Sequence, residues 1–377
     1  MNTQLRILYV LSTLERSGPV QMLSQLTAHL DRGTYVPSIL TLSAEPARSM
    51  RSWFEDRGIP VASLSLSRAA WILAGRASML KAIGAMRPHV VHSHGFRADT
   101  GLAGLDTGAV HCCTVHNIPA EDYPRMYGTL QGGLMARAHL RAFRRIAAPV
   151  AVSESISRAV TGVQGLPIRV IENGINIDEL TPAKEAERAG LRASLGLPAG
   201  AFVFVTAAPL IARKDPLTVI EAFLRLDDPR ARLVVLGDGP LRGECERRIQ
   251  NSAILMAGFR DDVPDWLRAS DAYISASFAE GLPMAVLEAF ACGLPALLSD
   301  IDPHREVAGS TLAARLFHTA DIASCAESMR AAIAQTTEQH RTAARERVVE
   351  EFSAARMSAR YQALYRELAT KDHIVGC

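Results

Sequence analysis

Residues 278–295, FAEGLPMAVLEAFACGLP, read as one short helix between two strands, and that reading sets the fold class. Pro283 is preorganised for the first helical position and Gly293 tolerates a left-handed cap, which predicts a helix body from Met284 to Cys292. The flanking runs DAYISAS and PALLSD have the length and composition of buried strands. Every residue of the helix body except Glu288 is apolar or small, so neither an amphipathic stripe nor a solvent face can be drawn on it. A buried helix is expected, and a buried carboxylate without partners either costs several kcal/mol or shifts its pKa until it is neutral. Glu288 therefore needs hydrogen-bond donors that its own helix does not supply. A second carboxylate, Glu280, precedes the Gly281-Leu282-Pro283 turn, so the two acids flank a helix N-terminus, an arrangement suited to an anion such as a phosphate. The residues alone leave open a plainer role for Glu288, pairing with an internal arginine or capping a loop.

The same alternation runs through the chain. RILYVL, VPSILTL, HVVHSH, HCCTVHN and RIAAPVAVS are strand candidates in the first half; AFVFVTAA, ARLVVLGD, AILMAGF, DAYISAS and PALLSD follow in the second. Helical patterns separate them, the signature of βαβ units and parallel sheets. At 377 residues, 48% apolar, the chain is too long for one ordinary core, and two doubly wound domains are expected. The join falls near Asn176, where Asn173-Gly174 marks a turn and a polar stretch interrupts the alternation. Three segments result: 1–176, 177–350 and a final helix over 351–377, free to pack back on the first domain. Beyond residue 320 the pattern is helical throughout.

A formal charge of +2 excludes a global electrostatic footprint for nucleic acid. Six cysteines (Cys112, Cys113, Cys245, Cys292, Cys325, Cys377) lie among apolar neighbours with no CxxC spacing, and read as reduced thiols of a cytoplasmic protein. The apolar run after Arg6 is too short for a signal peptide or a membrane span and reads as a first strand.

Several motifs sit at strand ends. Gly18-Pro19 opens a helix after the first strand, where open α/β sheets bind ligands, although a lone glycine there reads more readily as a purely structural turn. Arg213 and Lys214 follow AFVFVTAA and are placed to neutralise a diphosphate, or simply to face solvent. His116 ends HCCTVHN, where a neutral imidazole could hydrogen-bond a sugar or phosphate. LVVLGDGPLRG approaches a dinucleotide fingerprint, but its third glycine, Gly243, is one position late and its strand is not the first of its domain; a tight turn is expected. His92 and His94 lack a third ligand, and Asp300 and Asp302 precede Pro303, so packing and a turn are expected in place of metal sites. Arg137, Arg141, Arg144 and Arg145 form a basic amphipathic helix suited to an anionic membrane surface or to plain solvation.

Together SGPV, TVHN, VSESISRAV, VIENGIN, RKDPLTVIEAF, LVVLGDGPL, GFRDDVPDWLRASDAYISASFAEGLPMAVLEAFACGLP and SDIDPHREV resemble the retaining GT-B glycosyltransferases of family 4, glycosyl transferases group 1, over essentially the whole chain. The most specific element is Glu280 and Glu288 with seven residues between them. The resemblance implies an α/β fold of two Rossmann-like doubly wound domains facing a central cleft, the N-terminal one for the acceptor and the C-terminal one for a nucleotide-sugar donor. It implies that Glu288 accepts from the ribose hydroxyls, that Glu280 contacts the transferred sugar, and that the Gly281-Leu282-Pro283 backbone and Lys214 face the diphosphate. Gly18 would close over the diphosphate, His116 would line the site near the sugar, and Phe259-Arg260 would border the base. The implied catalytic set is Glu280, His116 and Lys214, with no metal and no cofactor besides the donor. One departure stands out: the family commonly carries an arginine five residues before the lysine, where this chain has Pro209, and Arg213 is expected to supply that charge. The implied activity is transfer of a sugar from a UDP- or GDP-sugar to a glycan or lipid-linked acceptor in surface polysaccharide or glycolipid assembly, at the inner face of the cytoplasmic membrane. The alternatives are a nucleotide-sugar 2-epimerase of the same architecture, which would turn over the donor without an acceptor, and a non-catalytic sugar-nucleotide-binding relative.

Overall fold

The structure is a computed structural model that describes residues 4–165, 167–249 and 253–375. Cys377 lies outside the described residues; the other five cysteines are buried free thiols. The chain folds into two units, one of residues up to Gly174 together with Ala354 onward, the other of Ile175–Ser353.

The first unit carries seven parallel strands: β1 (Leu5–Leu11), β2 (Tyr35–Thr41), β3 (Val61–Ser63), β4 (Val90–His94), β5 (Val110–Val115), β6 (Ala148–Ala151) and β7 (Arg169–Val170), in the order β3-β2-β1-β4-β5-β6-β7. The strand order reverses between β1 and β4, which makes their carboxyl ends the switch point of a doubly wound sheet. Both faces are covered, so β1 is apolar at nearly every position and not only at alternate ones. Ile7, Tyr9 and Leu11 face the Gly18–Ala28 helix and the terminal helix Ala354–Val375, whose Met357, Tyr361, Leu364, Tyr365 and Leu368 join the same core. Leu8 and Val10 face the opposite way, against Met79 and Ile83 of the Arg68–Met86 helix.

The second unit repeats the plan with β8 (Phe202–Ala207), β9 (Ala231–Leu236), β10 (Ile254–Gly258), β11 (Ala272–Ser275), β12 (Ala296–Ser299) and β13 (Ala314–Phe317), in the order β10-β9-β8-β11-β12-β13. Its switch point lies between β8 and β11, registered Ala272 to Phe204 and Tyr273 to Val205. Gly237 follows β9 with φ +132, and a Cβ there would stand 2.0 Å from the Ala208 carbonyl oxygen. The glycine of LVVLGDGP is therefore required by the close approach of the segment after β8.

Between β5 and β6 the chain forms a helix, Pro119–Tyr127, broken at Gly128 (φ +80) and followed by Thr129–Phe143. Pro119 starts the first helix, and Gly132 lets the second approach so closely that a Cβ would lie 2.2 Å from the Tyr123 carbonyl oxygen. One expectation needs correction: the Met284–Ala291 helix starts after Pro283, which is its N-cap, and it is not buried all round. Ala285 and Glu288, three residues apart, are half-buried while the neighbours on the other faces are fully buried. A solvent face two residues wide is too narrow to register as a polar stripe in the sequence.

Candidate functional site

The carboxylate that this fold takes out of water is Glu280, not Glu288. Glu280 follows β11 in the turn before the Met284–Ala291 helix and is 8% exposed. Its Oε1 accepts from Lys214 Nζ at 2.5 Å and from Ser277 Oγ at 2.7 Å, and its Oε2 lies 3.9 Å from Arg213. Burial pushes the Glu280 carboxyl up, but the cations Lys214 and Arg213 outweigh it and hold the pKa down at about 2. At neutral pH the group is an anion with a fixed cation beside it.

The fold brings these residues together by joining two strand ends. Arg213 and Lys214 occupy a single 3-10 turn, Ala212–Lys214, beyond β8. Asp215 ends that turn with φ +45, and its carboxylate accepts from Thr218, capping the Pro216–Leu224 helix. The turn is tied to the β11 loop by Phe278 N donating to the Arg213 carbonyl at 2.9 Å and by Arg213 Nη1 donating to the Ala279 carbonyl at 3.2 Å. Pro209 lies earlier in the same connection. No side chain caps the Met284–Ala291 helix, so its first N–H groups, next to the Gly281-Leu282-Pro283 turn, are left for water or an anion. Glu288 lies one turn and a half further on, half-buried and not devoid of interactions. Phe259 is 41% exposed, and Arg260 makes a two-pronged ion pair with Asp262 at 2.7 and 2.5 Å, its guanidinium above Trp266.

The remaining candidates belong to the first unit. Gly18 is the exposed first residue of its helix, and a Cβ there would meet nothing within 4 Å, so the chain's own packing does not require a glycine. His116 stands just past β5, half-buried, with Nε2 3.0 Å from His94 Nδ1 and the two rings stacked at 5.3 Å. Burial pushes its imidazole down to about 4, leaving it neutral at physiological pH. His92 bonds Tyr365 and Thr114 through its two ring nitrogens, each at 2.7 Å, which makes it part of a buried polar core. Among the described residues no group of three or more His, Cys, Asp or Glu is placed to hold a metal ion. Asp300 instead pairs with Arg305, and Asp302 begins the Asp302–Ala308 helix.

Arg137 and Arg141 share one exposed face of the Thr129–Phe143 helix with Leu130 and Leu134, which are 81% and 59% exposed; Arg144 and Arg145 lie just past its end. No helix among the described residues is long and apolar enough to cross a membrane. Sequence reasoning missed the support behind Glu280. Ser277 bonds it directly, Ser299 Oγ donates to the Ser277 carbonyl at 2.6 Å, and His304 bonds Ser299. The only trace in the sequence is serine at the ends of two neighbouring strands, which local pattern does not distinguish from turn residues.

Comparison with known proteins fits this geometry. Residues 16–179 match the family model described as Glycosyltransferase Family 4, and residues 187–349 match that of Glycosyl transferases group 1. EpsF of Bacillus subtilis, which carries a provisional glycosyltransferase assignment, is 28% identical over 88% of this chain and 89% of its own length. The UDP-Gal:alpha-D-GlcNAc-diphosphoundecaprenol alpha-1,3-galactosyltransferase of Escherichia coli is 33% identical, but over 37% of this chain and 38% of its own length. Among solved structures, the Anabaena protein HepE in complex with UDP-glucose has a TM-score of 0.84 at 18% identity, covering 97% of this chain and 100% of that one. With two complementary family models spanning both units and a shared fold throughout, the chain belongs to the GT-B glycosyltransferases.

Proposed function

We propose that this chain transfers a sugar from a nucleotide diphosphate to a glycan or lipid-linked acceptor with retention of anomeric configuration. The observation that carries the reading is Glu280: a buried, ionised carboxylate beside Lys214 and Arg213, at the switch point of the second sheet and before an uncapped helix N-terminus. Lys214 has three N–H donors and gives one to Glu280, so two remain for a diphosphate. Arg213 supplies the second positive charge, in the place of the arginine absent at Pro209. Glu280 Oε2 is left to accept from a hydroxyl of the transferred sugar. Glu288 takes the ribose hydroxyls and Phe259-Arg260 border the base. In the first unit, Gly18 begins a helix after β1 and His116 is a neutral imidazole just past β5, at the strand ends where sheets of this kind take a ligand.

In the proposed step the acceptor oxygen attacks the anomeric carbon on the face from which the diphosphate leaves. The carbon–oxygen bond to the phosphate breaks, the new glycosidic bond forms, and the acceptor proton passes to the departing phosphate oxygen. Catalysis is then charge stabilisation by Lys214, Arg213 and the helix N-terminus, together with positioning, and needs no dedicated metal. The donor is a UDP- or GDP-sugar: HepE binds UDP-glucose and the Escherichia coli relative uses UDP-galactose, whereas a Mycobacterium tuberculosis mannosyltransferase 32% identical over 34% of this chain depends on GDP-mannose. That relative's diphosphoundecaprenol acceptor, with the leucine and arginine face of the Thr129–Phe143 helix, supports a lipid-linked acceptor at an anionic membrane surface. Calorimetric titration with UDP- and GDP-sugars, followed by NMR of the product's anomeric configuration, tests the proposal. Inverted product removes the retaining mechanism, donor conversion without an acceptor favours the epimerase, and no donor binding across the panel removes the function.

A further inference from the structure

His304 lies in the first turn of the Asp302–Ala308 helix, is fully buried, and has no role in the step above. Its Nδ1 stands 2.8 Å from the Ser299 carbonyl oxygen and 3.1 Å from Ser299 Oγ. The protons can be placed by counting. Ser299 has one hydroxyl proton, and it is donated to the Ser277 carbonyl. Neither Ser299 atom then has a proton for His304, so the imidazole proton sits on Nδ1 and is shared between the two oxygens. Ser277 Oγ in turn donates to Glu280 Oε1. The His304 N–H thus holds Ser299, Ser299 holds the main chain of Ser277, and the hydroxyl of that same Ser277 holds the Glu280 carboxylate. These contacts cross from the end of β12 to the loop after β11.

At the far side of the ring, Nε2 is buried with no hydrogen-bond partner among the described residues. A side chain serving only to fill space there would be better apolar, because a bare ring nitrogen in a buried site is unfavourable and leucine is not. What histidine adds is one N–H aimed at Ser299. Burial lowers the His304 pKa, which keeps the ring neutral and the Nδ1 proton in place.

We propose that His304 is a positioning residue for sugar transfer, holding Ser299 and Ser277 so that Glu280 meets the transferred sugar in a single orientation. The inference rests on the role proposed for Glu280 and adds a residue outside the ligand's reach. His304→Leu removes the donor at similar volume, and His304→Asn keeps an N–H near the Nδ1 position. UDP release from UDP-glucose and calorimetric UDP affinity are measured for both, alone and in a Glu280→Gln background. Misplacing a positioned group by about 1 Å costs on the order of 100-fold in turnover. His304→Leu is expected to lose turnover on about that scale with UDP affinity within about twofold of wild type, and His304→Asn to recover most of it. In Glu280→Gln, His304→Leu is expected to cost no more than about twofold further, since its effect passes through Glu280. Ser299→Ala, with the helix intact, should match His304→Leu and serves if the leucine variant does not fold. Equal losses in both backgrounds, parallel loss of UDP affinity, or unchanged turnover in both His304→Leu and Ser299→Ala would overturn the inference while leaving the proposed function standing. Failure of the wild-type protein to bind or convert any donor removes the function, and this inference with it.

Discussion

Replacing Lys214 by methionine isolates the ion pair on which the proposed donor site depends. Methionine keeps the length and packing of the stem but removes the charge, leaving Glu280 8% exposed with Arg213 3.9 Å from Oε2. In the wild-type fold the carboxyl is held at about 2, against an ordinary 4.5. A depressed folded pKa contributes stability above the unfolded value and loses it as pH falls from about 4.5 toward 2. At ~1.4 kcal/mol per pKa unit, that contribution is on the order of 3 kcal/mol at pH 7. In Lys214→Met the largest opposing influence, burial, is left with weaker compensation, so the folded pKa rises and the anion becomes unfavourable at pH 7. The variant should be less stable than wild type by about 3 kcal/mol or more at neutral pH. The gap should narrow toward pH 4, as the variant takes up a proton on Glu280 and the wild type begins to lose its advantage. Denaturant unfolding at pH 7, 5.5 and 4 reads this, with Trp266 reporting on the second unit and Trp53 and Trp71 on the first. A difference below about 1 kcal/mol at pH 7, or one independent of pH, would refute the assignment of Glu280 as a buried anion held by Lys214.

Three further outcomes follow from the same geometry. Arg213→Ala should weaken UDP-sugar binding about tenfold, the scale of one charge-assisted contact to phosphate; unchanged affinity, with Lys214→Ala abolishing binding, would show that Arg213 does not replace the charge missing at Pro209. Glu288→Gln should weaken UDP about tenfold in calorimetry yet leave 2′,3′-dideoxy-UDP nearly unaffected, and an equal loss for both would remove the ribose contact. Reversing Arg137 and Arg141 to glutamate should cut sedimentation with anionic vesicles at low salt by on the order of 100-fold, at about 1 kcal/mol per basic residue removed and more on reversal; wild-type protein that does not sediment would refute the membrane contact.

Much of the fold was legible because the relevant signals are local. Long apolar strand runs, Gly and Pro punctuation, and helices between them are enough to imply parallel sheets covered on both faces. The strands that escaped notice are the short edge ones: Val61–Ser63, Arg169–Val170 and Ala314–Phe317. Each has two to four residues, and in each at least one faces solvent, so none forms an apolar run. The Glu280 and Glu288 pair was visible as an anomaly, two carboxylates around an apolar helix, but which of them is buried was not. A strip only two residues wide opens Glu288 to solvent, whereas Glu280 is covered by residues far away in the chain.

By itself the sequence determined the two doubly wound sheets, the turns at their strand ends, and the charged residues placed in those turns, because these follow from backbone geometry and from burial periodicity within a few residues. Only the tertiary structure decided that Lys214, 66 residues from Glu280, is its counter-ion. It alone showed that Ser299, 22 residues beyond Ser277, anchors the same turn, with His304 behind it. Those partnerships depend on β8, β11 and β12 lying side by side. Strand neighbours in a parallel sheet are joined through crossovers, so residues that share a carboxylate are set by sheet order and not by sequence spacing.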